Sequence, residues 1–102
     1  MNPNQRYLST LGLCMRAGEL VTGEELTLEA VRKGNVAIVL LANDASANTE
    51  KKVRDKCSYY NIPVYSPNDR YELGSAIGKE ARVVIGIRSK GFAKKIAALL
   101  NQ

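Results

Sequence analysis

Few residues in this chain have the types and spacing that chemistry requires. Gly74-Ser75-Ala76-Ile77-Gly78-Lys79-Glu80 invites a phosphate-loop reading, but that motif needs four residues between its glycines and Ser or Thr after its lysine. Here three residues separate the glycines and Glu follows the lysine, so Gly78 reads instead as a helix stop. Glu24/Glu25 and Asp69/Glu72 offer paired carboxylates, yet both pairs fall at expected helix starts, where the dipole favours negative charge without catalysis. Asp44 directly follows the most apolar segment, the position at which open α/β sheets hold ligands; turn formation is its other use. Arg88, Lys90, Lys94 and Lys95 bracket Gly91-Phe92 and suit either a phosphate backbone or a solvated helix face. Tyr59, Tyr60, Tyr65 and Tyr71 have faces on which bases stack, but no RNP pattern surrounds them and they read as core and rim aromatics.

What is missing narrows the chemistry further. With no histidine, the chain contains no imidazole base, no histidine metal ligand and no Ser/His/Asp triad. Cys14 and Cys57 belong to no Cys-x-x-Cys pair, so neither a metal cluster nor a thioredoxin-like site is indicated. Each sits in an apolar helical pattern and is expected to be a buried free thiol, in keeping with a reducing cytoplasm. The expectation is a non-enzymatic protein with no cofactor and no small-molecule substrate.

The 102 residues suit one small domain spanning 1–102. Fifteen Lys and Arg against ten Asp and Glu give +5, which favours a polyanionic partner. The charge is uneven: residues 1–50 carry −2 and residues 51–102 carry +7. Val36–Ala42, the longest apolar run, is far shorter than the roughly 20 residues a membrane span needs, and Met1–Gln5 lacks a signal pattern. A cytoplasmic location with no membrane partner is therefore expected.

Positioning these groups requires alternating helices and strands. Asn2-Pro3 opens a helix to about Ala17, with Tyr7, Leu8, Leu11, Cys14 and Met15 on its apolar face and Gly18 as its stop. After an extended Leu20–Thr22, Thr22-Gly23-Glu24-Glu25 reads as a capping box for a helix ending at Lys33-Gly34. Val36–Ala42 is a central strand covered on both faces. A third helix follows the turn residues 43–49, with Val53, Cys57 and Tyr60 inward and Lys51, Lys52, Arg54, Asp55 and Lys56 in water. Ile62–Tyr65 and Arg82–Ile87 are strands, and Asp69-Arg70-Tyr71-Glu72 is a second capping box. Ser89 caps a last helix in which Phe92, Ile96, Leu99 and Leu100 face the core. The pattern predicts an α/β fold, a three-layer α/β/α sandwich with a mixed four-stranded sheet and about five helices.

Several blocks together carry a resemblance. Leu11-Gly12-Leu13-Cys14-Met15-Arg16-Ala17-Gly18, Val21-Thr22-Gly23-Glu24-Glu25, Val39-Leu40-Leu41-Ala42-Asn43-Asp44-Ala45-Ser46, Asp55-Lys56-Cys57, Leu73 to Lys79 and Lys90-Gly91-Phe92-Ala93 occur in order across nearly the whole chain. They resemble the YlxQ-type bacterial branch of the kink-turn-binding ribosomal protein family, typified by ribosomal protein L-seven-Ae. The resemblance implies the same sandwich and a ribosome-associated RNA-binding role, with structured ribosomal RNA as partner.

In that family the start of the second helix enters the widened groove beside tandem sheared G·A pairs, and the loop after the fourth helix covers flipped-out bases. Carried over, the resemblance makes Gly23, Glu24, Glu25, Leu26 and Glu29 one surface and Gly78, Lys79, Glu80, Ala81 and Arg82 the second, with Asp44 bordering the first. The strongest binders carry an Asn-Glu pair and, one turn later, a Lys, where this chain has Glu25, Leu26 and Glu29. Leu26 cannot accept a hydrogen bond and Glu29 opposes phosphate, each unfavourable by about 1–2 kcal/mol in the same pose. Leu26 also reads as a core residue paired with Ala30. These departures keep open an alternative, a protein-interaction module that docks on ribosomal or transcription proteins.

Overall fold

The apolar periodicities resolve into alternating helices and strands in the computed structural model, which describes the backbone of residues 3–102 and the side chains of residues 5–102. In chain order these are α1 (Pro3–Arg16), β1 (Leu20–Thr22), α2 (Glu24–Arg32), β2 (Ile38–Leu41), α3 (Ala47–Tyr59), β3 (Val64–Tyr65), α4 (Arg70–Ala76), β4 (Val84–Ile87) and α5 (Lys90–Leu100). The expected cap at Asn2 lies outside the described residues.

The sheet order is β1-β4-β2-β3. Strand β4 runs antiparallel to both β1 and β2, while β3 is parallel to β2, so the sheet is mixed as expected. The period-two alternation of the strands divides the interior into two cores. On one face Ile38, Leu40, Ile85 and Ile87 pack with Tyr7 and Leu11 of α1, Leu73 of α4 and Ile96 of α5. On the other, Val39, Leu41 and Val84 pack with Leu28 and Val31 of α2 and Val53 and Cys57 of α3. This is the predicted three-layer α/β/α sandwich. Among the described residues, no helix is long and apolar enough to cross a membrane.

Close approach fixes how α2 lies on the sheet. A Cβ at Gly86 would stand 2.9 Å from Val21 Cγ1 and 3.0 Å from Thr27 Cγ2, so this position admits no side chain without displacement. Thr27 therefore faces inward with Leu28, Ala30 and Val31, and the phase of the helix turns its neighbour outward. Leu26 is 66% exposed, which corrects its reading as a core residue.

The capping box expected at Thr22 and Glu25 is likewise absent. Thr22 is held in β1 opposite Ile85, and Gly23 is the N-cap of α2 instead. The Gly23 N–H donates to the Val84 carbonyl, which carries the β1–β4 pairing one residue past Thr22 and moves the helix cap to Gly23. The second box is present: Asp69 accepts from the amides of Tyr71 and Glu72, and Glu72 accepts from the amide of Asp69. Strand β4 starts two residues later than expected, because the Arg82 N–H bonds the Arg70 carbonyl of α4.

Two measurements probe this packing. A Cβ at Gly74 would lie 2.7 Å from Ala81 Cα and 2.8 Å from Ala81 N, backbone that cannot swing aside. Gly74→Ala is expected to destabilise the protein by about 1–3 kcal/mol, read as a lower urea midpoint. Cys14 and Cys57 are fully buried free thiols, as expected, and burial pushes both up to about 11 from an ordinary 9.0. The unfolded chain then loses these protons first, so stability falls as pH rises through that window. The urea midpoint should drop as pH rises from 9.0 toward about 11, and drop less in a Cys14→Ala/Cys57→Ala protein.

Candidate nucleic-acid interface

Strand register brings the two sequence-selected segments to one end of the sheet. Thr22 pairs with Ile85, so the end of β1 lies beside the start of β4, and Gly23 bonds Val84 at 2.9 Å. Leu41 pairs with Val84 and the Ala42 N–H bonds the Val83 carbonyl at 2.8 Å, which adds the end of β2 and the Asn43-Asp44 turn. The loop from Gly78 to Arg82 joins α4 to this end. Gly78 has φ 76°, a left-handed turn suited to glycine, and the Lys79 N–H returns to the Gly74 carbonyl at 2.9 Å. Gly23–Glu29 and Gly78–Arg82 thus converge on one ledge, with Asp44 at its border.

The ledge contains an uncapped helix start. Helices α3, α4 and α5 begin with Ser46, Asp69 and Ser89, whose side chains accept first-turn amides. Helix α2 begins with Gly23 at φ 94° and ψ 150°, which has no side chain to offer, and among the described residues no side chain caps it. Its first-turn donors, with the positive end of the helix dipole, are left to an external acceptor.

Charges around this opening are mostly paired. Glu24 accepts from Lys52 Nζ and Thr49 Oγ1, each at 2.9 Å, tying α2 to α3. Lys52 first and then Thr49 hold its carboxyl below the usual range. Lys33 at 3.2 Å and Arg32 at 3.6 Å do the same for Glu29, so its negative charge is locally balanced. Asp44 accepts from the Arg70 amide and Nε, each at 3.1 Å, while Arg70 also donates to the Asp44 carbonyl at 2.8 Å. Desolvation works to raise the Asp44 carboxyl, but the Arg70 bonds outweigh it and leave it lowered. Glu25, Lys79, Glu80 and Arg82 have no ion pair among the described residues. Arg82 is half-buried, and its guanidinium donates to the Ala81 carbonyl.

Arg88, Lys90, Lys94 and Lys95 are all exposed. They follow the opposite end of β4, where Ile87 pairs with Leu20, about 10 Å from Val84 along the strand. Lys90, Lys94 and Lys95 therefore do not join the ledge, whereas Arg88 lines a depression shared with Leu26 and Glu29 of α2. Lys52, Thr49 and Arg70 do border it and were not singled out from sequence. From sequence Lys52 reads only as part of a wet helix face, and its pairing with Glu24 depends on how α2 and α3 sit on the sheet. Tyr59 and Tyr71, read as core or rim, are 79% and 61% exposed.

Comparison with known proteins gives these features a family. Residues 5–97 match the ribosomal protein L7Ae/L30e/S12e/Gadd45 family. The chain is 48% identical over 95 residues to the RNA-binding protein YlxQ of Bacillus subtilis, covering 93% of this chain and 95% of that one. It is 32% identical to the large ribosomal subunit protein eL30 of Sulfurisphaera tokodaii, over 86% of this chain and 85% of that one. Among solved structures, a Bacillus halodurans C protein of unknown function superposes with TM-score 0.93 at 49% identity, over 95% of this chain and 98% of that one. The Giardia lamblia 15.5kD RNA binding protein superposes with TM-score 0.82 at 17% identity, over 99% and 88%, and shares the fold. The chain is a member of the ribosomal protein L7Ae/L30e/S12e/Gadd45 family.

Proposed function

We propose that the protein binds structured RNA at this ledge, recognising a kink-turn or a similarly bent element of ribosomal RNA as a non-enzymatic, ribosome-associated cytoplasmic protein. The observation that carries the reading is the uncapped start of α2 beside the Gly78–Arg82 loop. Amides at a helix start donate to phosphate or a base edge without needing a particular side chain. A bent RNA exposes the base edges that a regular A-form groove hides. Names carried by relatives point the same way: YlxQ is called RNA-binding, and eL30 is a ribosomal protein.

In this reading Gly23, Glu24, Glu25, Leu26 and Glu29 approach the groove, Lys79 and Arg82 meet phosphate, and Gly78, Glu80 and Ala81 cover unpaired bases. Asp44 holds the border through Arg70. Two cations without ion pairs imply a shallow salt dependence, with log K falling by roughly 2 per decade of salt. A titration of a standard kink turn, with a sheared-pair mutant as control, tests this directly. Preference for the intact kink turn supports the reading; equal binding of both RNAs leaves only charge attraction.

Lys79→Ala/Arg82→Ala should weaken binding about tenfold and flatten the salt slope. Glu29→Lys should strengthen binding, because it also frees Lys33 and Arg32 from their pairing. Unchanged affinity in both variants would locate the site elsewhere.

Leu26 favours a second reading as a protein-docking surface, since a large apolar side chain stands 66% exposed in a cleft with Val21 and Ala30. A ribosomal or transcription protein that survives nuclease treatment in a pull-down, and is lost with Leu26→Ser, would select that reading.

A further inference from the structure

Helix α3 presents a second surface that continues from the ledge. Three of its four cations are committed: Lys51 to Asp55, Lys52 to Glu24 and Arg54 to Glu50. Lys56 has no ion pair among the described residues. One helical turn beyond it, Tyr59 is 79% exposed, and its ring meets Tyr60 edge-on, with centroids 4.9 Å apart and an interplanar angle of 73°. That contact holds the Tyr59 ring upright while most of its surface remains in water. Lys52, Asp55, Lys56 and the two tyrosines line an open depression of about 530 Å³. The Asp55 carboxylate there is neutralised by Lys51 at 2.6 Å. Positions 52, 56 and 59/60 follow helical spacing and form one ridge.

We propose that this ridge is a platform for unpaired nucleotides of an RNA strand leaving the element held on the ledge, with a base stacked on Tyr59 and a phosphate beside Lys56. This rests on the RNA reading above. The chemistry is that of sequence-tolerant single-strand binding, in which an aromatic face stacks a base and cations follow the backbone. Continuity supplies the rest: Lys52 bonds Glu24 of α2, so the ridge starts where the ledge ends. From Lys52 to Tyr59 the helix rises about 10 Å, the length of about three stacked nucleotides.

The test is an anisotropy titration of a blunt kink-turn duplex, the same duplex with about four unpaired adenosines on either strand, and a free oligoadenylate. With the wild-type protein, a tail on one of the strands should tighten binding about tenfold. Tyr59→Phe should keep that gain, Tyr59→Ala should erase it, and the blunt duplex should bind equally to all three proteins. No gain from either tail, or a gain that survives Tyr59→Ala, overturns the platform. If the blunt duplex is not bound at all, the ledge reading fails separately. Oligoadenylate binding that is lost in Tyr59→Ala would then still support the platform, and its absence would overturn it. Sedimentation that shows self-association abolished by Tyr59→Ala would assign the face to a second copy and overturn the proposal.

Discussion

The arrangement depends on the antiparallel pairing of β1 with β4, ended by the bond from the Gly23 amide to the Val84 carbonyl. That bond satisfies a sheet edge, fixes where α2 starts and brings the ledge's two segments together. Pairing that continues to Gly23 makes that residue, not Thr22, the N-cap of α2, and a glycine there supplies no capping oxygen. The helix start is open because the sheet is closed there.

A second constraint keeps the ledge in shape. Gly86 lets α2 sit close to the sheet, and Gly74 lets the backbone at Ala81 lie against α4. Pairs spanning different elements then fix the margins: Glu24 with Lys52 joins α2 to α3, and Asp44 with Arg70 joins the turn after β2 to α4. Such exposed pairs add little stability individually. Their effect here is to leave the ledge neither strongly negative nor strongly positive, so that backbone donors and a few cations define it.

Much of this was legible in the chain. Apolar spacing at Tyr7, Leu11 and Cys14, and the continuous run at Val36–Ala42, specify the helix faces and the central strand, because burial enforces both periodicities. Caps at Asp69 and Ser89 were readable because the acceptor and its amide are three residues apart. Thr22 and Glu25 satisfied the same local rule, yet strand pairing with residues more than sixty positions away overrode it. Leu26 misled for a related reason: the face α2 buries is chosen by Gly86, which local periodicity does not include. The partners of Glu24 and Asp44 were hidden because both pairings depend on sheet order.

The same long reach along the chain bears on synthesis. Residues 20–22 of β1 find their partner only at 85–87, and β2 closes on the same late strand. A growing chain can form α1 and α2 first, but the sheet that joins them waits for residues 84–87. The ledge therefore does not exist before β4 is made. A nascent copy that has not yet released β4 has no finished surface with which to engage RNA, and competence arrives when that strand joins the sheet.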